Sequence, residues 1–203
     1  MTSRKHLISF LITLAFLLIL AGTWLYPGGS QANAQASGFD WANNYLCNLF
    51  DAKGINGAHN SGRWFAVVGM VVLCTGFALF FFRFSKKIQH KSASAVIRYA
   101  GVLGMVFGVL VTTPYHNLMV SLASTCIMLA TFYITVMVFM SRLHLFKVLT
   151  VVCLLLLYIN AIIYYTQYGL VILPVMQKVN FLVVIVWVLS LDYLTTRDDF
   201  PTK

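Results

Sequence analysis

Six stretches of this chain stay apolar for most of a bilayer's thickness. A hydrocarbon core of roughly 30 Å takes about 20 such residues per helix. The spans read at about 7–26, 64–82, 96–115, 117–140, 147–166 and 178–194. The third is the weakest, because it is glycine-rich from Tyr99 to Thr113 and needs Val96 and Ile97, or Tyr115, to reach full length. With 60% of its residues hydrophobic and 9% charged, the chain departs from soluble domains, in which about 25% are charged. The reading is all-α: a polytopic membrane protein whose 203 residues form one six-helix transmembrane bundle.

Lysine and arginine set the expected orientation. An even number of spans puts both termini on one side, with Arg4, Lys5, Arg83, Lys86, Lys87, Lys91, Arg98, Arg142, Lys147, Arg197 and Lys203. The other side keeps Lys53, Arg63 and Lys178. The positive-inside rule then predicts cytoplasmic termini and an outward-facing loop over 27–63. It also accounts for the net charge of +9, since these cations are scattered over short loops and do not form the single basic face that nucleic acid needs. The first segment has signal-peptide features, with Ala32 and Ala34 in an A-x-A pattern. Its apolar run of about 20 residues exceeds a signal core of roughly 7–15, so an uncleaved first helix is expected.

The loop at 27–63 is the one long polar segment, and GFDWANNYLCNLFD within it has helical periodicity. At 100° per residue Asp40, Asn43, Asn44, Cys47, Asn48 and Asp51 share one face, and Trp41, Ala42, Tyr45, Leu46, Leu49 and Phe50 share the other. This predicts an amphipathic helix of about three turns between turn-rich arms, YPGGS before and KGINGAHNSGRW after. Its polar face has no lysine or arginine, which favours a lid on the bundle over an independent surface anchor. A plug that only seals the bundle is the alternative.

Polar residues on the spans fall at helical spacing. Asn117, Ser121, Ser124 and Thr125 form one stripe and Asn160, Tyr164 and Gln167 another, both expected to face the bundle interior. Gly101, Gly104 and Gly108 predict close helix approach. Pro114-Tyr115-His116-Asn117 makes a tight outer turn that brings His116 level with the loop. His59, His116, Asp40 and Asp51 supply nitrogen and oxygen donors that suit zinc and hydrolysis of a lipid amide or ester, but none sits at a recognised metal spacing. The central portions of the spans hold no Asp, Glu, Lys, Arg or His, which disfavours proton-coupled transport. Of four cysteines only Cys47 lies in the loop, as a lone thiol open to reaction or intermolecular pairing.

The six-helix plan, the YPGGS and GFDWANNYLCNLFD segments and the His116-Asn117 pair resemble a family of uncharacterised bacterial six-helix integral membrane proteins, distantly similar to the DRAM-like membrane proteins. The resemblance implies a bacterial inner-membrane location and retention of all six helices, and it implies no reaction and no catalytic residue. The functional expectation is an outward-facing pocket for a membrane lipid or small amphiphile. Its candidate residues are Asp40, Trp41, Asn44, Asn48, Asp51, Arg63, His116 and Asn117, with Asn160 and Tyr164 beneath them. A metal-dependent membrane hydrolase and a purely structural or assembly protein are the other readings. No cofactor is expected, nucleic acid is not expected as a partner, and nothing in the sequence names a protein partner.

Overall fold

The computed structural model describes residues 6–201. Six helices are long and apolar enough to cross a membrane: α1 Leu7–Trp24, α2 Arg63–Ser85, α3 Lys91–Leu110, α4 His116–Phe139, α5 His144–Thr166 and α6 Leu173–Leu194. No strand occurs among the described residues. The chain is an integral, multi-pass membrane protein. Its outward helix faces stay apolar, as at Leu17, Leu145, Ile162 and Val186, each more than half exposed within the protein itself. In water such continuous apolar surface would drive aggregation, whereas acyl chains cover it without cost.

Boundaries moved where local chemistry decided them. The third helix is displaced toward the N-terminus relative to 96–115: the His90 ring accepts a hydrogen bond from Ala93 N at 3.3 Å and starts the helix at Lys91. At its other end Pro114 disfavours helical geometry in the residue before it, so residues 111–115 form the turn. The sixth helix starts five residues earlier than 178, with Pro174 in its first turn, where the missing N–H costs nothing.

Successive helices pack side by side, and α2 is the most enclosed, touching α1, α3 and α6. Two devices let it do so. Gly62, just before α2, and Ala66, Gly69 and Gly76 along it present a small-residue face to α1, where Gly22 also lacks a side chain. Gly101 and Gly108 of α3 lie against Phe81 and Cys74 of α2, while Gly104 lies against Ala123, Cys126 and Ile127 of α4. The glycines expected to permit close approach therefore serve two neighbours. Phe80, Phe84, Trp187 and Phe200 pack edge to face or tilted in the buried centre, and the Trp187 indole donates to Thr150 Oγ1 at 3.0 Å, tying α6 to α5.

The two ends of the bundle differ in charge. His6 and Ser9, at the start of α1, hydrogen-bond the Tyr193 hydroxyl near the end of α6 at 3.1 and 2.7 Å, so both ends of the described chain share one end. There Lys87 Nζ donates to the carbonyls of Leu191, Asp192 and Thr195 at 3.0, 2.8 and 2.9 Å, capping the C-terminus of α6. Arg83, Lys86, Lys91, Arg98, Arg142, Lys147 and Arg197 lie toward this basic end. The loop over 27–63 and the α3–α4 turn occupy the opposite end.

Candidate functional site

The loop does not form three continuous helical turns. Its only helical element is a five-residue 3-10 helix, Leu46–Phe50, preceded by extended backbone at Tyr45 (φ −74°, ψ 150°). The cause lies in the same Asp and Asn residues that made the polar stripe. Asp40 Oδ1 accepts from the backbone N–H of Ala42 (3.0 Å) and Asn43 (3.2 Å), Asn44 Oδ1 accepts from Asp40 N (2.8 Å), and Asn48 Oδ1 accepts from Tyr45 N (2.8 Å). These side chains take the donors that a helix ladder would use, which is how such residues favour turns over helix interiors.

This rearrangement splits the expected face in two. Asp40, Asn43 and Asn44 form a closed knot: Asn43 Nδ2 donates to Asp40 Oδ2 at 2.8 Å, and fully buried Asn44 donates to the Gly29 carbonyl at 2.9 Å. The Asn43 amide, followed by backbone donors at Ala42 and Asn43, holds the Asp40 carboxyl below the usual carboxylate range. The knot is anchored to α6, where Lys178 Nζ donates to the Asn44 carbonyl at 2.6 Å and stands 5.6 Å from the Phe39 ring centre. Gln177 accepts from Leu46 N at 2.9 Å, and the Tyr45 hydroxyl reaches the Leu170 carbonyl at 3.4 Å. Trp41 is half exposed, packs edge-on to Phe39 and does not line the cavity that His116 lines. On this side the loop is a filled plug.

On the other side it leaves a cleft. A cavity of about 400 Å³ opens between the 3-10 helix and the α3–α4 turn, and Asn48, Asp51, Arg63 and His116 lie on its wall together with Cys47, Thr112 and Thr113. Arg63 opens α2 and its Nε donates to the Phe50 carbonyl at 2.8 Å, while its guanidinium lies 5.3 Å from the Trp64 ring centre. No ion pair involves Arg63 among the described residues, so its terminal NH2 groups and the exposed Asp51 carboxylate stay unneutralised in one cleft. His116 is the first residue of α4, and its Nε2 is buried without a hydrogen-bond partner. Asn60, itself buried, fixes the opposite wall by donating to the carbonyls of Leu49 (3.1 Å) and Asp51 (2.9 Å) and accepting from Gly62 N (3.1 Å).

The remaining candidates separate from this cleft. Tyr164 donates to Asn117 Oδ1 at 3.2 Å, so the two polar stripes do meet, but at the α4–α5 boundary and with Asn117 exposed. Asn160 donates back to Leu156 of its own helix at 2.8 Å, and Ser121 and Thr125 do likewise on α4. Self-bonding of this kind satisfies the side chain without an interhelical partner, and none of the stripe residues is buried, so the stripes lie at the α4–α5 edge and not in the bundle interior. The four proposed metal donors are not assembled either. His59 sits exposed opposite Lys53 in a separate hairpin-like arm, Asp40 belongs to the knot, and no three His, Cys, Asp or Glu groups converge among the described residues.

Cys47 is less reactive than its place in the loop suggested. Burial pushes its thiol up to about 11. At pH 7.5 the thiolate fraction is then roughly 300-fold below that of a free cysteine, whose pKa is about 8.5. Maleimide labelling of the folded protein is expected to be slower than labelling of the unfolded chain by about that factor; equal rates would show an open thiol.

Lys178, Gln177 and Asn60 were not among the sequence candidates. Lys178 carried a legible signal, a lone cation at the start of an apolar span, which marks a residue with a specific partner. Asn60 carried none beyond its place in a turn-rich arm. Compared with known proteins, the chain matches no family model, no curated protein and no solved structure, so its own residues carry the functional reading.

Proposed function

We propose that the cleft between the loop and the α3–α4 turn binds the polar head of a membrane amphiphile carrying both an anionic and a cationic group. The observation that carries this reading is the buried, unpartnered His116 Nε2 on the wall of a cleft that also holds an unpaired arginine and a carboxylate. A buried polar atom without a partner costs about 1–3 kcal/mol, a penalty that a bound head group would relieve. Arg63 offers its terminal NH2 groups to a phosphate, a geometry guanidinium suits. Asp51 answers an ammonium on the same head, and the Thr112 and Thr113 hydroxyls, which donate to the Val109 and Leu110 carbonyls, keep acceptor lone pairs for it. The exposed Trp64 beside Arg63 suits a mouth at the depth favoured by interfacial aromatics. Positive-inside asymmetry gives the orientation of this reading: the basic end is cytoplasmic and the cleft opens outward.

Phosphatidylethanolamine is the probe, with phosphatidylcholine as the bulkier competitor. Asp51→Asn and His116→Ala are each expected to lower phosphatidylethanolamine retained by the detergent-purified protein by roughly fivefold, about one kcal/mol of lost interaction. Asp51 is exposed, so its isosteric change tests binding with the fold intact. Unchanged retention in both variants would leave the loop as a seal and nothing more.

A further inference from the structure

We propose that Arg98 and Lys86, set around Phe82 and Ser85 at the basic end, form a second site, which holds the phosphate of an anionic membrane phospholipid. It lies at the opposite end of the bundle from the cleft and does not depend on it. Arg98 stands seven residues into α3, about 10 Å along the helix from Lys91 at 1.5 Å per residue. A charge at that depth of a span is costly unless it finds a partner or reaches the interface. Its Nε donates to Ser85 Oγ at 3.2 Å, and Ser85 is fully buried, accepting in turn from Ser94 Oγ through its carbonyl at 2.6 Å. This fixes the guanidinium and leaves both terminal NH2 groups unspent. Arg98 lies 5.4 Å and the Lys86 ammonium 4.2 Å from the centre of the same ring, Phe82, which is 41% exposed on the lipid-facing side.

Two cations held at one ring repel each other, and the acidic residues of this end do not answer them. Asp192 and Asp199 act on Lys87, which packs against α6, and no ion pair involves Lys86 or Arg98 among the described residues. The anion present in the bilayer at this level is a lipid phosphate, and basic sites between helices bind such head groups. Tyr99, Leu103 and Val106 form an exposed apolar strip on the same helix, about a quarter-turn around α3 from Arg98. That strip offers acyl chains a track that a free inorganic anion would not use.

The test counts lipids bound to the full chain by native mass spectrometry, in detergent doped with equal amounts of phosphatidylglycerol and phosphatidylcholine. Wild type is expected to retain phosphatidylglycerol preferentially. Lys86→Gln and Arg98→Gln should each cut that preference roughly fivefold, the scale of one cation at a lipid surface. Arg142→Gln, an exposed cation at the same end, should leave it unchanged. Equal loss in Arg142→Gln would reduce the effect to general attraction and overturn the site, as would full preference in Lys86→Gln. Displacement of the lipid by millimolar inorganic phosphate would make it a free-anion site and overturn the lipid assignment. If Arg98→Gln fails to fold, Lys86→Gln alone decides, since its side chain is exposed and carries no fold contact beyond the ring.

Discussion

Replacing Gly62 with alanine is expected to lower the thermal midpoint of the purified protein by roughly 4–10 °C, from about 2–3 kcal/mol of overpacking. Gly62 is the residue before α2 and adopts right-handed backbone (φ −75°, ψ −13°), so conformation does not demand glycine. Space does: an added Cβ would overlap the Gly22 carbonyl oxygen, which belongs to the backbone of α1 and cannot rotate away. The same seam continues at Gly69, where a Cβ would meet Ile19 Cγ1 at 2.9 Å, and relaxes at Gly76, where the nearest atom is Leu11 Cβ at 3.3 Å. Gly76→Ala should therefore cost clearly less than Gly62→Ala. If the two variants melt together, or Gly62→Ala melts as wild type, the α1–α2 crossing has room for a methyl group at Gly62. The α1–α2 closeness also sets the cleft, because Gly62 N is held by Asn60, and Arg63 follows directly.

The membrane class was legible because it rests on run length, a property no tertiary contact can reverse. The split of cations between the two ends was legible for a related reason: Lys86 and Lys87 fall on the α2–α3 turn and Lys91 and Arg98 in the first turns of α3, so their end of the bundle follows from counting spans. The loop was not legible to the same depth. A periodicity argument treats Asn44 as a mark on a helical wheel, but Asn44 is a short side chain able to replace the backbone's own partners, and it does so at Asp40 N and Gly29 O. Three such residues within nine positions turn a stripe into a knot. The seam on α2 escaped for the opposite reason. Gly62, Ala66, Gly69 and Gly76 straddle the span boundary and a run of aromatic residues, so no single short motif marks them, while the G-x-x-x-G of α3 stands out.

Asn60 gives the second large effect, and it separates support of the cleft from contact within it. Asn60→Ala removes two donors to the Leu49 and Asp51 carbonyls and the acceptor for Gly62 N, leaving buried backbone groups unsatisfied. The expected loss is about 2–4 kcal/mol of local stability, since each orphaned group costs its desolvation. Amide exchange across residues 46–53 should rise by at least tenfold, an energy of about 1.4 kcal/mol or more, while α5 remains as protected as in wild type. Asn60→Asp keeps the acceptor for Gly62 but sets a buried carboxylate oxygen against the Leu49 and Asp51 carbonyls, so it should cost at least as much as Asn60→Ala. Because Asn60 is not on the cleft wall, any loss of phosphatidylethanolamine in Asn60→Ala must act through displacement of Asp51 and the 3-10 helix. Faster exchange with retention unchanged would show that the wall can move without affecting the head group, which would remove Asp51 from the binding role. Unchanged exchange would sink the pinning role of Asn60 itself.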